Sequence, residues 1–269
     1  MNNKHQLENM PPQHILGLEP GSTATDWHSH PNGGGWVYRT ARVAATAYVG
    51  PDAAICGRAR VSGNAIVRDS ARVCGNAVVR GDAVVRDSAV VSGDAVVCGS
   101  AEVRGDAVVC VAAVVCEGAR VSGNAVVRGH AVVRDSAVIC GRAVVSGRAE
   151  VSGDAVVRDT AEVSGDAWVC GRAWVCGSAR VLSGEWKVSP PYIQGTRHAL
   201  TLSSFTEITI GCQTHPIPYW LECGEAIGRG HGYSDAEIAE YQLHIEHLAR
   251  MAERLGADNL LLSRKEEQK

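Results

Sequence analysis

A few side chains in this sequence have the type and spacing that chemistry needs. His130 is the only histidine between residues 41 and 184, and an imidazole there can serve as the general base that acyl transfer from a thioester requires. Gly129 precedes it where other copies of the same motif have Asp, so no local acid orients the ring and a substitution tolerated at a turn is the plainer reading. Toward the C-terminus, Cys212, His215, Cys223 and His231 carry ligand atoms suited to zinc. Their two, seven and seven intervening residues differ from the short pairs of common zinc sites, and no metal is expected there. His28-Ser29-His30 sets two imidazoles on alternate residues, hence on one side of an extended segment; without a Cys or carboxylate at ligand spacing it too is not expected to hold a metal. No phosphate-binding glycine loop and no Ser-His-Asp set is present.

These residues are carried by a chain dominated by one motif. From Ala41 to Gly184 run twenty-four consecutive hexads, each beginning with Ala and each with Val or Ile two places later, as in Ala77-Val78-Val79-Arg80-Gly81-Asp82. In an extended segment side chains alternate, so Ala and the second Val point inward. Gly and a short polar residue then turn the chain, Gly because it accepts backbone angles that a Cβ resists and Asp or Asn because it bonds its own backbone there. Corners at regular spacing with no helical segment between them imply a parallel β-solenoid. The aromatic content of 5% agrees, since a narrow prism is filled by small aliphatic side chains. Residues 1–40 read as an arm, flexible until Trp36-Val37-Tyr38 caps the first repeat, and residues 185–269 as a C-terminal region of short strands and helices.

Composition excludes some partners. A formal net charge of −3 predicts no general affinity for nucleic acid or anionic membranes. Met1 to Gln13 is polar and lacks the apolar core of a signal peptide, and no run is long enough to span a bilayer, so a cytoplasmic location is expected. Eight of the ten cysteines, Cys56, Cys74, Cys98, Cys110, Cys116, Cys140, Cys170 and Cys176, occupy one hexad position where Ser or Arg stands in other copies. They read as small fillers, reduced in the cytosol.

The run resembles the hexapeptide repeats of the left-handed β-helix, the fold of a large acyltransferase superfamily. That resemblance implies three hexads per coil, a left hand, about eight triangular coils capped by a small α+β C-terminal region, acetyl-coenzyme A as cofactor and His130 as catalytic base. Two departures weigh against catalysis. In those repeats a small residue commonly follows the aliphatic one directly, whereas here Gly or Asp comes two places after it, and no insertion between Ala41 and Gly184 supplies a loop to cover a substrate. His30-Pro31-Asn32-Gly33-Gly34-Gly35-Trp36-Val37 and Ile208-Thr209-Ile210-Gly211-Cys212, with His215 and Trp220, are similar to the ends of a group of bacterial and phage hexapeptide-repeat proteins to which no activity is attached.

With three hexads per coil the outward residues form columns. Val78, Val96, Val114 and Val132 lie on one face, and Val90, Val108, Val126 and Val144 on another that shares a corner with it. Two such apolar faces suggest burial between protomers of a homotrimer. On the remaining face Glu102 and Arg120 interrupt the Val84 row, and Arg68, Arg86 and Arg104 stack beside it, with Arg158 farther along. Guanidinium groups about 5 Å apart repel unless anions intervene. Asp69 and Asp87 can be those anions, making a solvated ladder; a groove for a phosphate or carboxylate ligand is the sharper reading. The hexads of Val111 and Glu117 lack the corner Gly, and the profile is expected to kink or to be covered there. Trp168, Trp174 and Trp186 form an expected docking surface for the tail. Strands are expected over 199–202 and 207–211, a short helix over 219–227, and a final helix from a Ser234/Glu237 capping box, with Ile238, Tyr241, Ile245, Leu248 and Leu255 as its apolar stripe and Gly256 as its stop. The function expected is non-catalytic: a trimer binding a small anionic ligand, one form of which is a nucleotide-like host signal, or a partner protein. A coenzyme A-dependent acyltransferase and a structural spacer are the alternatives.

Overall fold

The computed structural model describes residues 10–266, with side chains as far as residue 256; the polar start up to residue 9 lies outside the described residues. The repeat forms twenty-four two-residue strands, β3 (Arg42–Val43) to β26 (Arg180–Val181), one per hexad. Every strand pairs in parallel with the strand three hexads away, as Val96 and Val97 do with Val78 and Val79. Three sheets result, each of eight repeat strands and, with strands flanking the repeat, of ten, eight and nine in all, which we call faces A (through Val90), C (through Val84) and B (through Val78). The inward residues, such as Ala77, Val79, Ala83 and Val85, are completely buried and form one column-like core.

Coils are joined by a repeated triplet of backbone hydrogen bonds. Val78 N–H donates to Ala95 (2.9 Å), Arg80 N–H to Val97 (2.9 Å) and Asp82 N–H to Gly99 at the corner (2.8 Å). From Gly57 to Gly177 each corner holds one residue with a left-handed backbone. Gly81 has φ 77° there, and a Cβ on it would sit 2.9 Å from the Gly99 carbonyl oxygen. Only six non-glycine residues take the position: Asp69, Asp87, Val111, Glu117, Asp135 and Asp159. At Val111 and Glu117 the expected kink or cover is absent: the strands on either side keep the regular pairing and Val111 is exposed. The two residues adopt φ 68° and 60°, their carbonyls accepting from Asp94 and Ser100 in the coil before and the amides of the next residues, Ala112 and Gly118, donating to Gly129 and Asp135 in the coil after.

The N-terminal arm is ordered earlier than its composition suggests. The antiparallel hairpin β1 (Trp27–Ser29) and β2 (Trp36–Tyr38) extends the edge of face A, β2 pairing with the first repeat strand of that sheet through Trp36 opposite Ala54, and helix α1 (Gln13–Leu16) precedes it. Ile15, Trp27 and Trp36 cover Ala54 and Cys56 in a small second core. His28 and His30 do not share a side. His30 is buried with Nδ1 3.2 Å from the Asn32 carbonyl, while His28 is exposed. Beneath the arm, Cys56 and Cys74 on adjacent coils form a disulfide, their Cα atoms 4.5 Å apart. The expectation of reduced fillers thus fails for this pair; Cys98 and Cys116, stacked on adjacent coils in the same way, are free, as are the other six cysteines.

After β27 (Glu185–Trp186), a four-stranded antiparallel sheet, β28 (Tyr192–Gln194), β29 (Ala199–Leu202), β30 (Glu207–Ile210) and β31 (Gln213–Pro216), closes the end of the prism. Leu200, Leu202 and Ile208 join the solenoid core, and Trp186 is buried against Phe205 with ring centroids 4.8 Å apart. Trp168 and Trp174 instead point outward, 38% and 50% exposed, so Trp186 alone of the three docks the tail. Helices α2 (Ile217–Gly230) and α3 (Asp235–Glu266) pack on this sheet. The Ser234/Glu237 box is formed, with Glu237 accepting from the Ser234 amide at 2.7 Å, and Ile238, Tyr241, Ile245 and Leu248 are buried. The helix runs on through Gly256, since an interior Gly costs only about 1 kcal/mol. No helix is long and apolar enough to cross a membrane among the described residues.

A β-branched residue in the left-handed region costs about 1–2 kcal/mol, and Val111 is 54% exposed, so its side chain returns little by packing. Val111→Gly is expected to raise the denaturant midpoint, by about 1 kcal/mol of stability; an unchanged or lower midpoint refutes the strain.

Candidate functional site

Arg68, Arg86 and Arg104 follow face C strands on successive coils, as the stacking predicts: Arg68 N–H bonds Val85 (3.0 Å) and Arg86 N–H bonds Val103 (3.0 Å). Two of the three are engaged. Arg68 Nη1 pairs with Asp69 at 3.1 Å. Arg86 Nη1 pairs with Asp87 at 3.3 Å, and its Nε and Nη2 both donate to Glu102 Oε1, at 2.9 and 2.8 Å. The Glu102 bond, foremost, raises the Arg86 pKa above its ordinary value. Arg134 repeats the arrangement on face B with Asp135 and Glu150, at 3.2 and 2.6 Å.

The corner carboxylates have a second task. An Asp in the left-handed corner accepts the corner amide of the next coil, as Asp87 does from Gly105 (2.9 Å), Asp135 from Gly153 (2.8 Å) and Asp159 from Gly177 (2.9 Å). Asp69 accepts from Asp87 and Glu117 from Asp135 in the same way, at 3.2 and 2.9 Å. The Gly153 amide, above all, holds the Asp135 carboxyl below its usual range. A carboxylate at the corner thus binds an Arg side chain and a backbone donor together, which offsets the strain that Asp accepts in place of Gly.

His130 stands exposed on a corner, its amide bonded to Gly147 O at 2.8 Å, and its ring has no hydrogen-bond or ion-pair partner among the described residues. Burial, first of all, pushes the Cys116 thiol up to about 11, with Cys98 beside it adding to the shift; a thiol so protonated is a poor nucleophile at neutral pH.

The C-terminal region contains a feature that residue types did not announce. Strands β30 and β31 and helices α2 and α3 enclose a cavity of about 450 Å³, walled by Ile210, Ile227, Ile238, Ile245 and Trp220 and edged by His198, Gln213, His231, Arg197 and Tyr233. Gly224 and Gly228 on α2 let the helices approach, since a Cβ at Gly228 would stand 3.1 Å from Ile238 and one at Gly224 3.4 Å from Ile245. Two glycines four apart in a helix, each costing about 1 kcal/mol, were the one sequence signal of this site. Its rim is fixed by polar contacts. Tyr241 hydroxyl donates to the His198 carbonyl (2.7 Å) and accepts from the Arg197 amide (3.1 Å). Arg197 pairs with Glu237 at 2.8 Å and lies 4.6 Å from the Tyr233 ring centre. Burial, then the neighbouring Tyr241, pushes the Tyr233 hydroxyl up to about 12.

Of the candidate zinc set, Cys212 and His231 line this cavity, with His231 Nε2 3.0 Å from Gln213 Nε2. His215 is turned to Tyr219 and Trp220, 4.7 and 5.0 Å away, and Cys223 does not line the cavity. The described residues hold no group of three or more His, Cys, Asp or Glu placed to bind a metal.

Residues 53–69 and 71–87 match the family model described as YdcK Beta solenoid repeat. The two stretches begin eighteen residues apart, one coil each, and end on the Arg68-Asp69 and Arg86-Asp87 corners. Together with the stacked parallel strands, the match supports a repeat β-helix. None of the curated proteins matches the chain.

The Ser234 amide, then the Arg197 guanidinium and the Ser234 hydroxyl, hold the Glu237 carboxyl down to about 2, from an ordinary 4.5. Because the folded value is depressed, its stabilisation is present above the ordinary carboxyl range and is lost as pH falls toward about 2. Hydrogen exchange of the α3 amides is therefore expected to accelerate from pH 4.5 downward once corrected for intrinsic rates, and Glu237→Gln to flatten that dependence; a variant with the wild-type profile refutes the assignment.

Proposed function

We propose that the protein is a non-catalytic, ligand-binding solenoid working as a trimer in the cytoplasm. The observation that supports binding is the C-terminal cavity of about 450 Å³, within the range of small-molecule sites. Its apolar walls suit a ring that gains from burial and from the Trp220 face. The His198, Gln213 and His231 edge suits a polar or anionic substituent. A nucleotide-like host signal, the form suggested by the resemblance to phage proteins, belongs to this class of planar ring with an anionic edge.

Self-association rests on the valine rows. Val78, Val96, Val114 and Val132 on face B and Val90, Val108, Val126 and Val144 on face A remain half-buried in the single chain, an apolar surface that a second protomer would cover. The acyltransferase reading depends on His130, whose ring has neither a partner to orient it nor a covering loop, and the geometry favours binding instead.

Native mass spectrometry of gently purified protein is expected to show a trimer retaining a small organic mass. Gly224→Leu, which extends a side chain from α2 into the cavity while improving helix propensity, is expected to keep the trimer and lose that mass. Val96→Lys is expected to give monomer. Wild-type protein that carries no ligand and stays monomeric sinks the reading.

A further inference from the structure

One step of the corner ladder has lost its own anions. Arg86 is bracketed by Asp87, directly after it, and Glu102, sixteen residues on, and Arg134 by Asp135 and Glu150 in the same two places. At Arg104 both places change: Gly105 stands for the Asp and Arg120 for the Glu. The backbone is unaltered. Gly105 keeps φ 70°, and Arg120 continues face C in register with Glu102, as Glu102 does with Val84. The offset that brings Glu102 onto Arg86 therefore sets a second guanidinium beside Arg104.

Both arginines are exposed, and neither forms an ion pair among the described residues. Glu102, the cross-strand neighbour of Arg120, has its Oε1 on Arg86, and Asp106, two residues past Arg104, pairs with neither. The amide above is also open. Where an Asp lies below, the corner amide donates to it, at 2.9 Å for Gly105 and 2.8 Å for Gly153; below Gly123 stands Gly105, which offers no side chain. Two other corner arginines followed by Gly, Arg80 and Arg128, have Val96 and Val144 sixteen residues on, so the doubled cation is particular to this step.

We propose that Arg104, Arg120 and the Gly123 amide form a binding site for an external phosphate group, which takes the place of the absent Asp and Glu carboxylates. Two carboxylates are replaced, so a dianion restores the charge pattern of the Arg86 step. Its tetrahedral oxygens match a backbone donor and two guanidinium forks at once. The site is independent of the C-terminal cavity. Because it is open to solvent, binding is salt-sensitive.

The test compares thermal unfolding in inorganic phosphate at pH 7.5 with sodium chloride at matched ionic strength. Phosphate is expected to raise the wild-type midpoint by about 2–4 °C more than chloride at a concentration near ten times its dissociation constant. Arg120→Glu and Gly105→Asp each copy the residue of a neighbouring step, so both are built to fold. Each is expected to lose the phosphate increment, and Arg120→Glu, which removes the like-charged neighbour of Arg104, is expected without phosphate to unfold at a higher midpoint than wild type. Equal effects of phosphate and chloride on the wild type, or an increment that persists in either variant, overturn the proposal.

Discussion

The prism from Gly57 to Gly177 depends on one backbone demand repeated from corner to corner: a residue in the left-handed region, whose carbonyl at most corners accepts the amide of the residue after the corner in the coil before. Where it is met, most hexads contribute three hydrogen bonds between coils while buried Ala and Val fill the interior. Glycine meets the demand most cheaply, and the close approach of stacked corners leaves little room for a Cβ. The Asp corners show a second solution, in which the side chain recovers part of the conformational cost by capping the amide of the next coil and drawing in the preceding Arg.

That economy also decides where binding can be sought. A core of Ala and Val columns holds no polar group, and each corner carboxylate is committed to a backbone amide. The repeat therefore binds something other than itself only where a copy departs from the pattern. Outside the repeat, the closing sheet and its two helices are free of the six-residue period. Trp186 and Leu200 seal the prism on one side of that unit, and the open space between α2 and α3 lies on the other.

The alternation Ala-x-Val disclosed the inward set, the sheets and the neighbours in each column, because side-chain direction in a strand follows from position alone. Asp69 and Asp87 as partners of Arg68 and Arg86 were legible for the same reason, being adjacent in sequence. Glu102 as the stronger partner of Arg86 was not, since it requires the lateral offset between coils. The lost glycine at Val111 reads as a kink or a covered stretch, whereas bonds to the coils on both sides impose the turn on an unsuited residue. Cys56 and Cys74 were recognised as repeat positions but not as bonded, because sequence shows the column and not the distance across it. The cavity escaped notice altogether. Its walls come from four elements with no common period, and only Gly224 and Gly228 hinted that two helices pass close together.

The Cys56–Cys74 bond has a mechanical meaning. In a stack where each coil touches only its neighbours, separation under load spreads one interface at a time from whichever end yields first. A covalent link between the first coils, lying under the N-terminal arm, takes that interface out of the sequence of ruptures. Pulled by its ends, the prism resists peeling from the arm, and the yielding interface lies beyond the staple.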